Sequence, residues 1–243
     1  PSAFIMKYIK AKKKILSVHG VYSEQIGLIH SNSLTSIISS KEKQVLQWAD
    51  ILTTDSLKVK TDYKEKLNLE VIHLPAPLDF QKLKNILGTS KIKNQVIYLG
   101  RDSFEKGIDI LKSVEDKING KIVYCINTPW EEAMIELKRS SVLVVPSRME
   151  SIPQTIKEAY YFKIPVIATK VGGIPDIVSH DKTGILIPPE DPLALTEAIN
   201  SLLLNDSKIR DLTQNAYEFL IENYSWDYLL PKYIEFYKNL IDD

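Results

Sequence analysis

Residues able to do chemistry lie in three stretches, each directly after a short apolar, mostly β-branched run. The first is Gly100-Arg101-Asp102-Ser103-Phe104-Glu105-Lys106-Gly107, which follows Val96 to Leu99. Gly100 lets the backbone come close to a ligand, Arg101 offers a planar fork for phosphate oxygens, and Lys106 adds a point charge. Together they suit a diphosphate. The plainer reading is a helix start in which Asp102 caps, Glu105 completes a capping box and both cations are solvated.

The second stretch runs from Pro146 to Ala159 after Val142 to Val145. Ser151 with Gln154 reads as a capping box and Pro153 fits a first helical turn, so Glu150 is expected just outside a helix and Glu158 within it. Eight residues at helical rise separate the two carboxylates by on the order of 12 Å, too far to share a proton but suited to two ends of one extended ligand. Unbonded amides near Gln154 and Thr155 would face an anion between them. The alternative is a capped helix with two solvated glutamates.

The third stretch, Lys170-Val171-Gly172-Gly173-Ile174-Pro175-Asp176, follows Val166 to Ala168 and reads equally as an ordinary strand-to-helix turn. His19-Gly20, after Ile15 to Val18, offers an imidazole in the other half of the chain, where a structural role is the commoner one. The three loops weigh more together than singly. They bring cations, carboxylates and free amides to the strand ends where an α/β sheet binds its ligand, and a nucleotide diphosphate fits that set.

The elements that must position these loops are legible as alternation. Strand-like runs at Ile15 to His19, Ile51 to Thr54, Val71 to Leu74, Val96 to Leu99, Ile122 to Cys125, Val142 to Val145 and Val166 to Ala168 resemble buried parallel strands. Helical spacing marks Ser36 to Trp48, Ser56 to Leu67, Phe104 to Ile118, Trp130 to Arg139, Pro153 to Phe162 and Pro192 to Leu204. The fold class is α/β, doubly wound. Two prolines in Leu74-Pro75-Ala76-Pro77-Leu78-Asp79 and the Lys-rich segment after them place a boundary near 80–92. Only three strands then fall before it, few for a doubly wound sheet, so the first domain is expected to be incomplete.

Composition bounds the partners. Lys+Arg and Asp+Glu both total 31 in 243 residues, so net charge argues for no nucleic acid and any anion site must be local. The single cysteine, Cys125, excludes an internal disulfide and a Cys-based zinc cluster, in keeping with a cytoplasmic protein. No apolar run approaches the roughly 20 residues of a membrane span. Phe4 to Lys14, with Lys10, Lys12, Lys13 and Lys14, could touch the anionic inner face of a membrane, against the plainer reading of a solvated helix end.

In this order the residues resemble glycosyltransferase family 4, the group 1 retaining enzymes of GT-B fold. The second half carries the match: Gly100-Arg101 with Glu105-Lys106-Gly107, Pro146-Ser147, Glu150 and Glu158, Pro165-Val166, Gly172-Gly173, and Thr183-Gly184 before Pro188. Ser17-Val18-His19-Gly20, Ala49-Asp50-Ile51, Pro77-Leu78-Asp79 and the closing Tyr224-Ser225-Trp226 match more loosely. The resemblance implies two Rossmann-like domains: an acceptor-side domain over 1–84 lacking its start, a nucleotide-sugar domain over 85–225, and a helix over 226–243 crossing back.

It also implies roles. Arg101 and Lys106 would hold the diphosphate and stabilise the departing nucleotide without a metal or cofactor. Glu158 would accept from ribose hydroxyls, and Glu150 with Ser151, Ile152, Pro153, Gln154 and Thr155 would hold the donor sugar, with His19 meeting it from the opposite wall. Gly100, Ile126, Asn127 and the following Thr128-Pro129-Trp130 would wall the nucleotide, Trp130 being otherwise a core aromatic. The implied reaction moves a hexose from a UDP- or GDP-sugar to a glycan or lipid-linked acceptor, with no protein nucleophile assigned. Alternatives are a non-catalytic nucleotide-sugar-binding module and a sugar-nucleotide epimerase. Ser151 and Lys163 depart from the family pattern, which has glycine at both places, and the chain between Ile118 and Pro146 is short by about one strand and one helix.

Overall fold

The computed structural model describes residues 2–20 and 32–242. The chain divides into two units, Pro1–Ala76 with Pro231–Asp243, and Pro77–Leu230. The division falls before the 84/85 boundary read from the sequence, because Leu78, Leu83 and Ile86 are buried in the core of the second unit. Towards the end it falls at Pro231 instead of 226; in the first unit the Tyr233 hydroxyl donates to the Pro75 carbonyl at 3.0 Å.

In the first unit β1 (Ile15–Ser17), β2 (Ile51–Thr54) and β3 (Ile72–His73) form a parallel sheet in the order β1-β2-β3. Helix α1 (Asn32–Leu46) precedes β2 and α2 (Leu57–Leu67) follows it. Ser56 starts α2 by accepting the Val59 amide, and Asn68 ends it in the left-handed conformation that Asn tolerates. Val18, Leu52, Val59, Tyr63 and Leu67 close a small core.

The second unit opens with α3 (Phe80–Lys84) and holds a five-stranded parallel sheet in the order β5-β4-β6-β7-β8. Its strands are β4 (Gln95–Gly100), β5 (Lys121–Ile126), β6 (Val142–Val145), β7 (Val166–Thr169) and β8 (Ile185–Ile187). The longest buried runs form its centre, as a sheet covered on both faces requires. Ile97, Leu143, Val145, Val166 and Ala168 pack to one face, and Val96, Tyr98, Val142, Val144 and Ile167 to the other. Around the sheet lie α4 (Ile108–Lys112), α5 (Trp130–Arg139), α6 (Gln154–Tyr161), α7 (Ile174–Ile177), α8 (Pro192–Leu203), α9 (Asp206–Tyr224) and the start of α10 (Trp226–Asp242). The sequence pattern does not mark β8, α3, α7 or α9, all but α9 too short to show a period. Lys163, between α6 and β7, takes a left-handed φ of 53°, the conformation a glycine there would supply.

The helix expected over 104–118 is broken. A 3-10 turn at Phe104–Lys106 precedes α4, and another at Glu115–Lys117 follows it. Gly107 makes the first break, at a φ of 64°, with its Cα so close to the loop after β6 that an added Cβ would stand 2.0 Å from the Pro146 carbonyl oxygen. Both constraints call for glycine.

Gly107→Ala is therefore expected to destabilise the protein by about 3 kcal/mol or more, through backbone strain and a clash with main chain. Gly88→Ala, whose added methyl would meet nothing within 4 Å, serves as the control and should stay within about 0.5 kcal/mol. Urea unfolding of the two variants beside the parent measures this, and equal midpoints would contradict it.

Candidate functional site

The strand order sets the place of the site. From β4 the chain passes to β5 on one side, then returns to β6 on the other, so the loops leaving the ends of β4 and β6 diverge. Ligands settle in the crevice at such a reversal. A cavity of about 440 Å³ lies there, within the roughly 300–1,000 Å³ typical of small-molecule sites. Gly100, Arg101 and Lys106 line it from the β4 end; Cys125, Asn127, Thr128, Trp130, Ala133 and Met134 from β5 and α5; Ser147, Glu150, Ile152, Pro153, Gln154, Thr155 and Glu158 from β6 and α6.

Of the residues to which the resemblance assigns a contact with the donor, Ile126, Ser151 and His19 do not line this cavity. Ile126 follows Cys125 in β5, and alternation turns it to the other face, where it packs with Tyr124. Ser151 is absent from the lining, and the cap position of α6 falls to Pro153, which has no side-chain cap bond, with the helix beginning at Gln154. Pro153 itself is extended, and the Glu150 carbonyl is engaged by the Gly173 amide at 3.3 Å. His19 belongs to the first unit, where its Nδ1 lies 3.5 Å from the buried Asp55, whose hydrogen bond raises the imidazole pKa against the effect of burial.

At the β4 end neither cation is simply solvated. Lys106 Nζ lies 2.5 Å from Glu150 Oε2, which the Ser147 hydroxyl also reaches at 3.3 Å. Arg101, largely exposed, donates to Glu105 at 2.9 Å. The alternative capping box is not formed either: Asp102 pairs with Lys112 at 3.1 Å and Glu105 with Arg101. The Tyr98 hydroxyl donates to the Arg101 carbonyl at 2.6 Å and fixes the turn from strand to loop.

The two loops are tied together by main chain. The Glu105 carbonyl accepts from the amides of Arg148 at 2.9 Å and Met149 at 3.2 Å. Arg148 then clamps the junction: its fork meets both Asp109 oxygens at 2.7 and 2.8 Å, its Nε reaches Glu190 at 2.9 Å, and its guanidinium lies over the Phe104 ring. No spacing in the sequence announces this residue, because Asp109 and Glu190 each lie some forty positions away in the chain and meet it only through the fold. From below, Gly172 presses so close to Glu150 that an added Cβ would stand 1.8 Å from the Glu150 carbonyl oxygen. The Gly172-Gly173 pair thus shapes the loop carrying Glu150 and does not itself line the cavity.

At the other end Glu158 is buried, and burial pushes its carboxyl above the ordinary glutamate range, opposed by a hydrogen bond from Trp130 and the charge of Lys82. The Trp130 indole N–H donates to Glu158 Oε1 at 2.8 Å. Asn127, at a φ of 53°, turns the chain from β5 towards α5. The first amides of α6, at Gln154 and Thr155, lie ahead of its internal ladder and border the cavity. Among the described residues no three His, Cys, Asp or Glu side chains gather as a metal site. The cavity can therefore meet an anion at one end and hydroxyl groups at the other.

Residues 112–219 match the family model of glycosyl transferases group 1. The sulfoquinovosyl transferase SQD2 of Arabidopsis thaliana is 30% identical over 161 residues, covering 55% of this chain and 31% of that protein. The chain thus spans about a third of that curated relative's length. Among solved structures, sucrose-phosphate synthase from Thermosynechococcus elongatus superposes with a TM-score of 0.82 at 19% identity, covering 98% of this chain and 70% of the other. HepE from Anabaena, solved in complex with UDP, gives a TM-score of 0.72 at 14% identity, covering 93% and 72%. Family match and architecture agree: residues 112–219 are similar to the group 1 glycosyl transferases, and the chain has a GT-B-like α/β fold.

Proposed function

We propose that the chain is the donor-binding part of a retaining hexosyltransferase that takes a UDP- or GDP-linked sugar and passes the sugar to a glycan or lipid-linked acceptor. The observation carrying this is the convergence of Arg101, Lys106, Glu150 and Glu158 on one cavity at the reversal of strand order. The complex of HepE with UDP supports a nucleotide in the equivalent fold. In this reading Arg101 and Lys106 hold the diphosphate and stabilise the charge that grows on it as the glycosidic bond breaks. Glu150, exchanging its lysine partner for ligand, accepts from hydroxyls of the sugar, and Glu158 accepts from those of the ribose. The acceptor attacks on the face the diphosphate leaves, so the protein supplies position and charge and no nucleophile. Two cationic groups at the diphosphate make a metal unnecessary. Ile5, Tyr8 and Ile9 are exposed beside Lys7 and Lys10, which favours a peripheral contact with the cytoplasmic face of a membrane.

Calorimetric titration with UDP, GDP and ADP should find one nucleotide that binds, and Arg101→Ala and Glu158→Ala should each weaken it about tenfold or more. Absence of binding by all three nucleotides would overturn the donor-site reading. The affinity should survive EDTA unchanged, whereas a loss on chelation would assign the diphosphate to a metal instead of to Arg101 and Lys106. It should also fall as pH drops through a midpoint above the ordinary glutamate range. Glu158 accepts hydroxyls as a carboxylate, and burial protonates it at a higher pH than a free glutamate. A flat profile down to pH 4 would remove Glu158 from the site.

A further inference from the structure

Trp130 packs, partly buried, against the core of the second unit, and that packing does not explain where its N–H is directed. Its N–H, which in a core tryptophan would serve any nearby carbonyl, is committed at 2.8 Å to a carboxylate that lines the cavity. Its ring is itself held. Lys82 on α3 places its ammonium 3.8 Å from the ring centroid, well within the range of a cation–π contact. A carboxylate has accepting capacity on both oxygens, so fixing one of them orients the other.

Resting on the donor-site reading above, we propose that Trp130 is a positioning residue for Glu158: it fixes Oε1 and presents Oε2 to the vicinal hydroxyls of a bound ribose. Lys82 locks the indole plane and thereby the line of that hydrogen bond. The arrangement also favours the ionised form of the buried carboxylate. Trp130 from α5 and Lys82 from α3 both favour the ionised form, while burial opposes it. Lys106 and Glu150, elsewhere in the cavity, are paired with each other, and Lys157, next in the chain, lies over the Tyr224 ring. A phenylalanine at 130 would keep the ring and its cation but lose the donor. Glu158 would then rotate between orientations and take up a proton more readily.

The test compares the parent chain with Trp130→Phe and Lys82→Met. The protonation midpoint of Glu158, followed by carboxyl-carbon NMR without nucleotide, should rise in Trp130→Phe and rise less in Lys82→Met. Affinity for the binding member of UDP, GDP and ADP should fall about tenfold in Trp130→Phe, as expected for loss of a hydrogen bond to a charged group. The preference for that ribonucleotide over its 2′-deoxy form should narrow with it. An unmoved Glu158 midpoint in Trp130→Phe overturns the proposal, as does a raised midpoint with an unchanged ribose preference. Should Trp130→Phe fail to fold, Lys82→Met, at an exposed position, decides by the same two readouts. A parent chain that binds none of the three nucleotides overturns the donor-site reading and the ribose role together, whereas the midpoint separately decides whether Trp130 governs Glu158.

Discussion

The carbonyl oxygen of Glu105 accepts two amides, those of Arg148 and Met149, and through them joins two loops that the sheet would otherwise leave apart. Strand hydrogen bonds end with the strands, and at a reversal of order the loops beyond them leave in opposite directions. A cavity framed by such loops would be soft without a tie between them. Close packing of Gly107 against Pro146 and of Gly172 against Glu150 brings the main chains near enough for that tie, and Arg148 fastens it through Asp109, Glu190 and the Phe104 ring. Lys106 and Glu150 sit one on each side of the junction, and their 2.5 Å approach depends on it.

That approach shapes how the cavity meets an anion. The chain carries no net charge to attract one, and both cations at the cavity already have a carboxylate partner. An incoming phosphate must therefore compete. Arg101 is largely exposed and its pair with Glu105 is screened by water, so that exchange costs little. Lys106 and Glu150 are mostly buried, where breaking a pair is expensive unless both partners are served afterwards. A ligand with phosphate oxygens for the lysine and hydroxyl donors for the glutamate serves both, while a bare anion serves only one. In the donor-site reading, selectivity for a molecule carrying both groups would follow from the pairing.

How much of this the sequence disclosed follows from the range of the forces involved. Val142 to Val145 and Trp130 to Arg139 are found where their apolar periods place them, since burial on a sheet or along a helix leaves its mark in consecutive residues. Phe104 to Ile118 misleads for the same reason. Ile108, Leu111, Val114 and Ile118 keep helical spacing, but Gly107 is set left-handed beside Pro146, a distant partner that no local pattern encodes. Ser151 and Gln154 spell a capping pattern, but the cap position falls to Pro153, and the Glu150 carbonyl accepts from the Gly173 amide. Of the candidate residues, those on a strand end or the first turn of α6 were legible from position alone. Ile126 lies one step of alternation from Cys125 and faces away from the cavity, and no local pattern marks Arg148, whose partners are remote in sequence.

The two ends of the cavity differ in the way their carboxylates are held, and the difference is chemical. Glu150 faces the Lys106 ammonium, a partner whose charge a phosphate can take over. Glu158 faces a neutral, rigid indole donor backed by the Lys82 ammonium across the ring, and a phosphate has nothing to offer it. Burial weakens the ionised form of Glu158 yet strengthens each hydrogen bond that form accepts, so the indole and the distant cation matter most where solvent is least. In the donor-site reading proposed above, anionic groups would be turned away from the Glu158 end and hydroxyls drawn to it. That would set the polarity of the occupant before any contact specific to a sugar or base.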